Sequence, residues 1–134
     1  MPMLYRTEVA KSSIHGLGLF SKGLIRKGSV FWQHDAIIDG WVDIRGADRY
    51  PVFLKHMDYF YCYDKTLDLY IRHSDNIIFI NHSETPNLTS PSKYIHIASR
   101  DIERDEELTL NYHNICDYGW ETVEKINYGR HSEN

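Results

Sequence analysis

Short runs of β-branched and aromatic residues recur along this chain of 134 residues, and each run ends at glycine or at a cluster of Asp, Asn and Ser. Such runs are typical of β-strands joined by tight turns. The pattern therefore predicts a mainly β fold in which helix is the minority state. We predict strands over 5–9, 19–20, 30–32, 67–71, 94–99 and 108–112, and a buried segment over 77–80.

The length of the chain predicts one domain, because a typical domain has about 150 residues. Its 15 basic and 19 acidic residues give a net charge of −4, which is opposite in sign to the usual footprint of nucleic-acid binding. A chain of this charge favours a basic partner. The longest apolar run covers residues 59–63, far too short to span a membrane.

Two cysteines, Cys62 and Cys116, lie far apart and form no CxxC pair, so neither a zinc knuckle nor a disulfide framework is indicated. They suit a reducing compartment. Because the N-terminus lacks the apolar core of a secretory signal, we expect a soluble intracellular protein, cytoplasmic or nuclear depending on its source.

The segment 81–87 places polar side chains directly after a buried apolar run. From the residues alone, two interpretations stay open. One is a loop tied by Asx turns, in which Pro86 fixes the backbone and Asn87 caps it. The other is a polar ligand held by Asn81 and His82 at the end of a strand. A zinc site of the deaminase type is rejected, since no cysteine pair follows His82 and Glu84.

The pair Gly16 and Gly18 lies between two predicted strands. Glycine has no Cβ, so this backbone could approach a ligand closely, but an ordinary hairpin turn explains the pair equally well. A dinucleotide-binding fingerprint is excluded, because its third glycine would fall at Ser21.

Three segments carry the most specific signal in the chain: GLGLFSK at 16–22, INHSETPN at 80–87 and DEELTLNY at 105–112. In this order and spacing they resemble the SET domain of protein lysine methyltransferases. The resemblance covers residues 5–120, leaving 121–134 as a C-terminal tail. It is similar to the stand-alone SET proteins of viruses and bacteria, because no cysteine-rich flanking module is present.

The resemblance implies a β-clip fold of small curved sheets, with few short helices and a knot-like C-terminal threading. It also implies binding of S-adenosylmethionine without a metal. Tyr112 would lie beside the reacting methyl group and amine as the catalytic residue. The implied cofactor-binding residues are Gly16, Leu17, Gly18, Asn81, His82, Tyr112 and Trp120, the last lying against adenine.

The implied activity is methylation of a lysine side chain in a basic protein or peptide, a histone included. Two alternatives remain: a catalytically inactive SET module that binds a peptide or partner, and a β-clip binding domain without a cofactor. The implied substrate channel contains Tyr59, Tyr61 and Leu110. Many relatives have an aromatic residue where this chain has Leu110, and Ser90 is likewise not aromatic, so we predict di- or trimethylation. The oligomeric state stays open, a homodimer included.

Overall fold

The computed structural model describes residues 3–43 and 62–115. Within these ranges the chain forms ten short strands and two 3₁₀ turns, and no α-helix. The strands are β1 (Thr7–Lys11), β2 (Leu17–Ser21), β3 (Val30–Gln33), β4 (Trp41–Val42), β5 (Cys62–Asp64), β6 (Leu69–Ile71), β7 (Asn81–His82), β8 (Leu88–Ser92), β9 (Ile95–Ala98) and β10 (Glu107–Leu110). The 3₁₀ turns cover Asn76–Phe79 and Tyr112–Asn114. The mainly β prediction is confirmed.

The strands form three small sheets with the orders β1-β2-β10-β7, β3-β9-β8 and β4-β6-β5. In the first sheet β1 and β2 make an antiparallel hairpin, so the Gly16–Gly18 segment lies where the chain reverses. Strand β10 is antiparallel to β2 and parallel to β7. This central position brings all three sequence motifs into one sheet.

Parallel pairing of β7 with β10 sets the register of the site. Asn81 lies opposite Thr109, and His82 lies opposite Leu110. The Ser83 N–H donates to the Leu110 carbonyl at 2.9 Å, which extends the pairing by one residue. Residues some thirty positions apart in sequence therefore become neighbours.

The core lies between the sheets and contains large apolar side chains from most of them. Its fully buried members include Leu19, Phe31, Trp32, Leu88, Leu108 and Leu110. The predicted buried segment at 77–80 is a 3₁₀ turn rather than a strand, with Asp75 as its cap. No helix in the described part of the chain is long and apolar enough to cross a membrane.

Candidate active site

Asn81, the first residue of β7, lies at the centre of a polar cluster and is 1% exposed. Four oxygens surround its amide nitrogen: the His15 carbonyl at 3.0 Å, the Leu17 carbonyl at 3.1 Å, Ser12 Oγ at 3.2 Å and Glu107 Oε2 at 2.8 Å. An amide has only two N–H donors, so these acceptors outnumber them. Asn81 thus ties the Gly16–Gly18 segment to the parallel pair of strands.

Glu107 is a member of this cluster that the sequence analysis did not single out. Its carboxylate accepts hydrogen bonds from the Ser12 hydroxyl at 2.6 Å and from Asn81. A Cβ at position 18 would overlap this carboxylate, whose Cδ would lie 2.9 Å away. Gly18 is therefore required by packing against Glu107. The signal was present in the third motif, but nothing local in the sequence pairs Glu107 with Gly18.

His82 lies beside Tyr112. The Tyr112 N–H donates to His82 Nδ1 at 3.0 Å, and the two rings are 5.2 Å apart. Tyr112 begins a 3₁₀ turn, and the first N–H groups of a helical turn lack partners within the turn. The imidazole of His82 supplies that missing acceptor.

Tyr112 is fixed at its other end as well. Its side chain is 5% exposed, and its hydroxyl donates to the Ile80 carbonyl. Because the phenolic proton is used on that carbonyl, the oxygen lone pairs are left to act as acceptors. The arrangement gives Tyr112 one fixed backbone position and one fixed direction for its hydroxyl.

Asn87 joins the loop after β7 to β10 and does not act only as a local cap. Its Oδ1 accepts from the Thr109 N–H at 2.9 Å, and its Nδ2 donates to the Glu107 carbonyl at 2.8 Å. A local Ser/Thr turn also exists, since the Ser83 hydroxyl accepts from the Thr85 N–H at 3.0 Å. The interpretation of 81–87 as a loop tied by its own side chains is thus partly confirmed, and the ligand-binding interpretation stays a prediction.

Leu110, predicted to line the substrate channel, is 1% exposed and packs in the core next to Tyr112. Ser90 lies in another sheet, where its hydroxyl bonds to His96 Nδ1 at 2.8 Å. Tyr59, Tyr61 and Trp120 lie outside the described residues, so their predicted roles stay predictions.

One group of side chains in the described ranges has the spacing of a metal site: His82, Glu84 and His113, with ligand atoms within 4.8 Å of one another. The chemistry of His82 disfavours it. Because His82 Nδ1 accepts from the Tyr112 N–H, the neutral ring carries its proton on Nε2, the atom that faces Glu84 Oε1 at 3.1 Å. A metal there would have to displace that proton and leave an imidazolate.

A cavity of about 730 Å³ opens beside the 3₁₀ turn of Tyr112 and includes Asn114 in its wall. One side of it is aromatic, with His34 packed against Trp41 and Tyr94 at ring distances of 4.8 and 5.2 Å. Asp64 lies in the same wall and accepts from the Tyr94 hydroxyl at 2.6 Å. That hydrogen bond lowers the pKa of the Asp64 carboxyl, so this side chain is charged at neutral pH, and Lys93 adds a positive charge to the same wall.

The family model of the SET domain matches residues 16–113, which is most of the chain. This chain belongs to the SET-domain family. The match includes all three motifs, and Ser12 and His15 of the polar cluster lie just before it.

Solved structures of SET proteins share this fold at low sequence identity. A humanized mutant of the Chaetomium thermophilum Polycomb Repressive Complex 2, bound to the inhibitor GSK126, superposes with a TM-score of 0.64 at 18% identity, covering 85% of this chain and 16% of that one. The Neurospora SET-domain protein DIM-5, a histone lysine methyltransferase, superposes with a TM-score of 0.59 at 17% identity, covering 83% of this chain and 53% of that one.

A proposed histone methyltransferase from Plasmodium falciparum gives a TM-score of 0.58 at 22% identity, covering 88% of this chain and 98% of that one. This SET domain thus spans a small part of the first protein, about half of the second and nearly all of the third. No curated protein matches the sequence significantly.

SET methyltransferases use S-adenosylmethionine, and the residues of this SET domain fit that cofactor. The carbonyls of His15 and Leu17, together with the Glu107 carboxylate, make the region around Asn81 rich in acceptors. S-adenosylmethionine carries an ammonium and a sulfonium, and acceptors of this kind stabilise positive charge.

Proposed function

We propose that this SET protein transfers a methyl group from S-adenosylmethionine to the ε-amine of a lysine in a protein substrate. The observation that carries the proposal is the position of Tyr112: buried, held by His82 at its backbone, and directed by the Ile80 carbonyl at its hydroxyl. Membership of the SET family supports the reaction class.

The cofactor would be held at the polar cluster. We assign its methionine part to the backbone of Gly16, Leu17 and Gly18 and to the side chain of Asn81, and its adenine to the backbone of His82 and to Trp120. When bound, S-adenosylmethionine supplies an electrophilic methyl group on a sulfonium. The chain's own residues then have to align the amine with that methyl group and keep water away.

Positioning dominates this chemistry, because a methyl transfer of this kind is an in-line displacement between a cation and a neutral amine. The buried side chains of Leu110 and Tyr112 exclude water, and an apolar surrounding disfavours the ammonium form of a lysine. The Tyr112 hydroxyl donates its hydrogen bond to the Ile80 carbonyl, so its oxygen can accept a hydrogen bond from the amine and orient it. Tyr112 therefore acts as an orienting group rather than as an acid.

The substrate we assign is a basic protein segment lying in the cavity whose wall includes Asn114, two residues after Tyr112. The wall of that cavity has an exposed aromatic face at Trp41, whereas its carboxylate, Asp64, is buried and accepts from the Tyr94 hydroxyl. Aromatic faces attract lysine and arginine side chains. The net charge of −4 favours the same kind of partner.

The test combines cofactor titration with a transfer assay. Calorimetry should show binding of S-adenosylmethionine, and mass spectrometry of reactions with basic proteins, histones and ribosomal proteins among them, should show lysines heavier by one or more methyl groups. A folded protein that binds the cofactor but methylates nothing would favour the inactive SET module. Absence of cofactor binding would favour a β-clip domain that only binds a partner.

A further inference from the structure

Glu84 lies in the loop after β7 and contacts the ring of His82. Its Oε1 is 3.1 Å from His82 Nε2 and 3.9 Å from His113 Nε2. The Glu84 side chain is 62% exposed, whereas that of His82 is only 9% exposed. A surface carboxylate thus reaches a ring that is otherwise enclosed by the site.

The two nitrogens of His82 have opposite roles. Nδ1 must be unprotonated to accept from the Tyr112 N–H, so Nε2 bears the proton of the neutral ring and donates it to Glu84. In a histidine, the partner of one nitrogen determines the tautomer and orientation at the other. Glu84 and Tyr112 therefore select the same tautomer from opposite sides of the ring.

We propose that Glu84 is a positioning residue for the transfer reaction. By accepting from His82 Nε2, it holds the imidazole in the tautomer and orientation that fix the backbone of Tyr112. This inference rests on the proposed function for its catalytic consequence, but its structural part concerns only Glu84, His82 and Tyr112. The Glu84 contact to His113, whose ring lies 5.5 Å from that of His82, restrains the same corner of the site.

Two substitutions separate the hydrogen bond from the charge. Glu84→Gln keeps a side-chain oxygen that can accept from Nε2, whereas Glu84→Ala removes the acceptor. Glu103→Ala is the matched control, because Glu103 is also an exposed acidic residue and lies in another turn. We expect all three variants to fold, since both positions are exposed.

In Glu84→Ala, the Tyr112 amide should exchange with solvent faster than in the wild type, as measured by hydrogen exchange with NMR detection. The ring nitrogen shifts of His82 should show loss of the single tautomer. On a lysine substrate, kcat should fall by roughly tenfold, because small misplacements at a reacting centre are costly in rate. S-adenosylmethionine affinity should stay within about twofold, and Glu84→Gln should restore kcat and exchange to near wild-type values.

The proposal is overturned if Glu84→Ala matches Glu103→Ala in exchange and in kcat, or if Glu84→Gln is as impaired as Glu84→Ala. It is also overturned if kcat falls while the Tyr112 amide and the His82 tautomer are unchanged. Hydrogen exchange of the Tyr112 amide and the ring nitrogen shifts of His82 can be measured without any methyl transfer. If the protein transfers no methyl group, they still decide whether Glu84 positions His82, so failure of the proposed function is recognised separately.

Discussion

The backbone N–H and the hydroxyl of Tyr112 both donate hydrogen bonds to neighbours. These bonds determine what the hydroxyl can contribute to a reaction. The O–H donates to the Ile80 carbonyl, so the oxygen faces any reacting group only as an acceptor. A phenol used in this way directs an amine by geometry. Its contribution should therefore appear in turnover and not in cofactor binding.

Replacing Tyr112 with Phe keeps the packing of the ring and removes the oxygen. We expect kcat and kcat/KM for lysine methylation to fall together by about a hundredfold or more, with S-adenosylmethionine affinity nearly unchanged. Loss of the bond to Ile80 should lower the free energy of unfolding by about 1 kcal/mol. Steady-state kinetics and calorimetry on the same preparation test this, and wild-type turnover in Tyr112→Phe would refute the assigned role.

Asn81 is structural as well as a proposed cofactor ligand, because its amide contacts the His15 and Leu17 carbonyls and Glu107. Asn81→Ala should lower S-adenosylmethionine affinity by roughly ten- to hundredfold. It should also destabilise the fold by about 1–3 kcal/mol, since the Glu107 carboxylate loses a donor. Calorimetric titration and urea unfolding measure the two effects. Unchanged affinity in folded Asn81→Ala would show that the side chain does not hold the cofactor.

At the scale of elements, the contact between β2 and β10 depends on the absence of a side chain at Gly18. A Cβ there would press on the Glu107 carboxylate and lie 3.0 Å from Ser12 Cβ. Gly18→Ala should therefore displace Glu107 from Asn81 and cost about 1–3 kcal/mol of stability, with weaker cofactor binding.

Gly23→Ala is the control for this substitution, because a Cβ at Gly23 meets no atom within 4 Å. Thermal unfolding with and without S-adenosylmethionine should separate the two variants. Equal unfolding temperatures and equal cofactor-induced shifts would contradict the role assigned to the Gly18–Glu107 contact.

Strand β10 also carries Leu110, which we assign to the substrate channel. A tyrosine at this buried position adds volume and a hydroxyl, so Leu110→Tyr should cost about 1–3 kcal/mol through overpacking. In the protein that remains folded, we expect the product to shift from di- or trimethyl-lysine toward monomethyl-lysine. A time course of product masses on a peptide with one lysine tests this. Wild-type product that stops at one methyl group would contradict the inference from Leu110.

Local sequence patterns predicted six of the ten strands in the described residues, because alternation and turn residues act over a few positions, and they missed β4, β5, β7 and β8. The strands predicted over 30–32 and 94–99 correspond to the observed strands Val30–Gln33 and Ile95–Ala98. The predicted 5–9 is observed two residues later, as Thr7–Lys11, where the hairpin with β2 sets the register. The apolar run at 77–80 has the composition of a strand, but Asp75 caps a 3₁₀ turn over Asn76–Phe79 instead.

The sequence motifs contain most residues of the candidate site but do not indicate which of them contact one another. Contacts of Glu107 with Ser12 and of Asn87 with Thr109 join residues 95 and 22 positions apart. Such pairs depend on the order of strands in the sheet, which local periodicity does not determine. The pairing of the buried His96 with Ser90 is a further contact that the local sequence does not indicate.

At the scale of the whole molecule, the core contains titratable rings as well as apolar side chains. His96 stacks on Trp32 at 4.8 Å, and His73 lies 5.2 Å from the same ring. Burial lowers the pKa of His73 to about 4 and that of His96 to about 3. Both histidines are therefore neutral in the folded protein at neutral pH, and protonating either one in place puts a charge next to the buried Trp32 ring.

This makes the fold sensitive to mild acid. In the unfolded chain these histidines take up protons near pH 6.5, whereas in the folded protein they stay neutral until pH falls toward 4 or 3. Stability is thus complete above pH 6.5 and declines as pH falls below it. Between pH 6.5 and 5, where carboxylates are still charged, each histidine should remove roughly 1.5 kcal/mol of unfolding free energy.

Replacing His96 with Leu removes one of the two titrations and keeps an apolar side chain against Trp32. Urea unfolding at a series of pH values should show wild-type and His96→Leu curves that run parallel above pH 7.5. Below pH 6.5 the wild type should lose stability about twice as steeply as His96→Leu, because two protons rather than one are taken up on unfolding. Equal slopes in that interval would mean that His96 does not resist protonation in the folded state, and that the acid sensitivity of this fold has another origin.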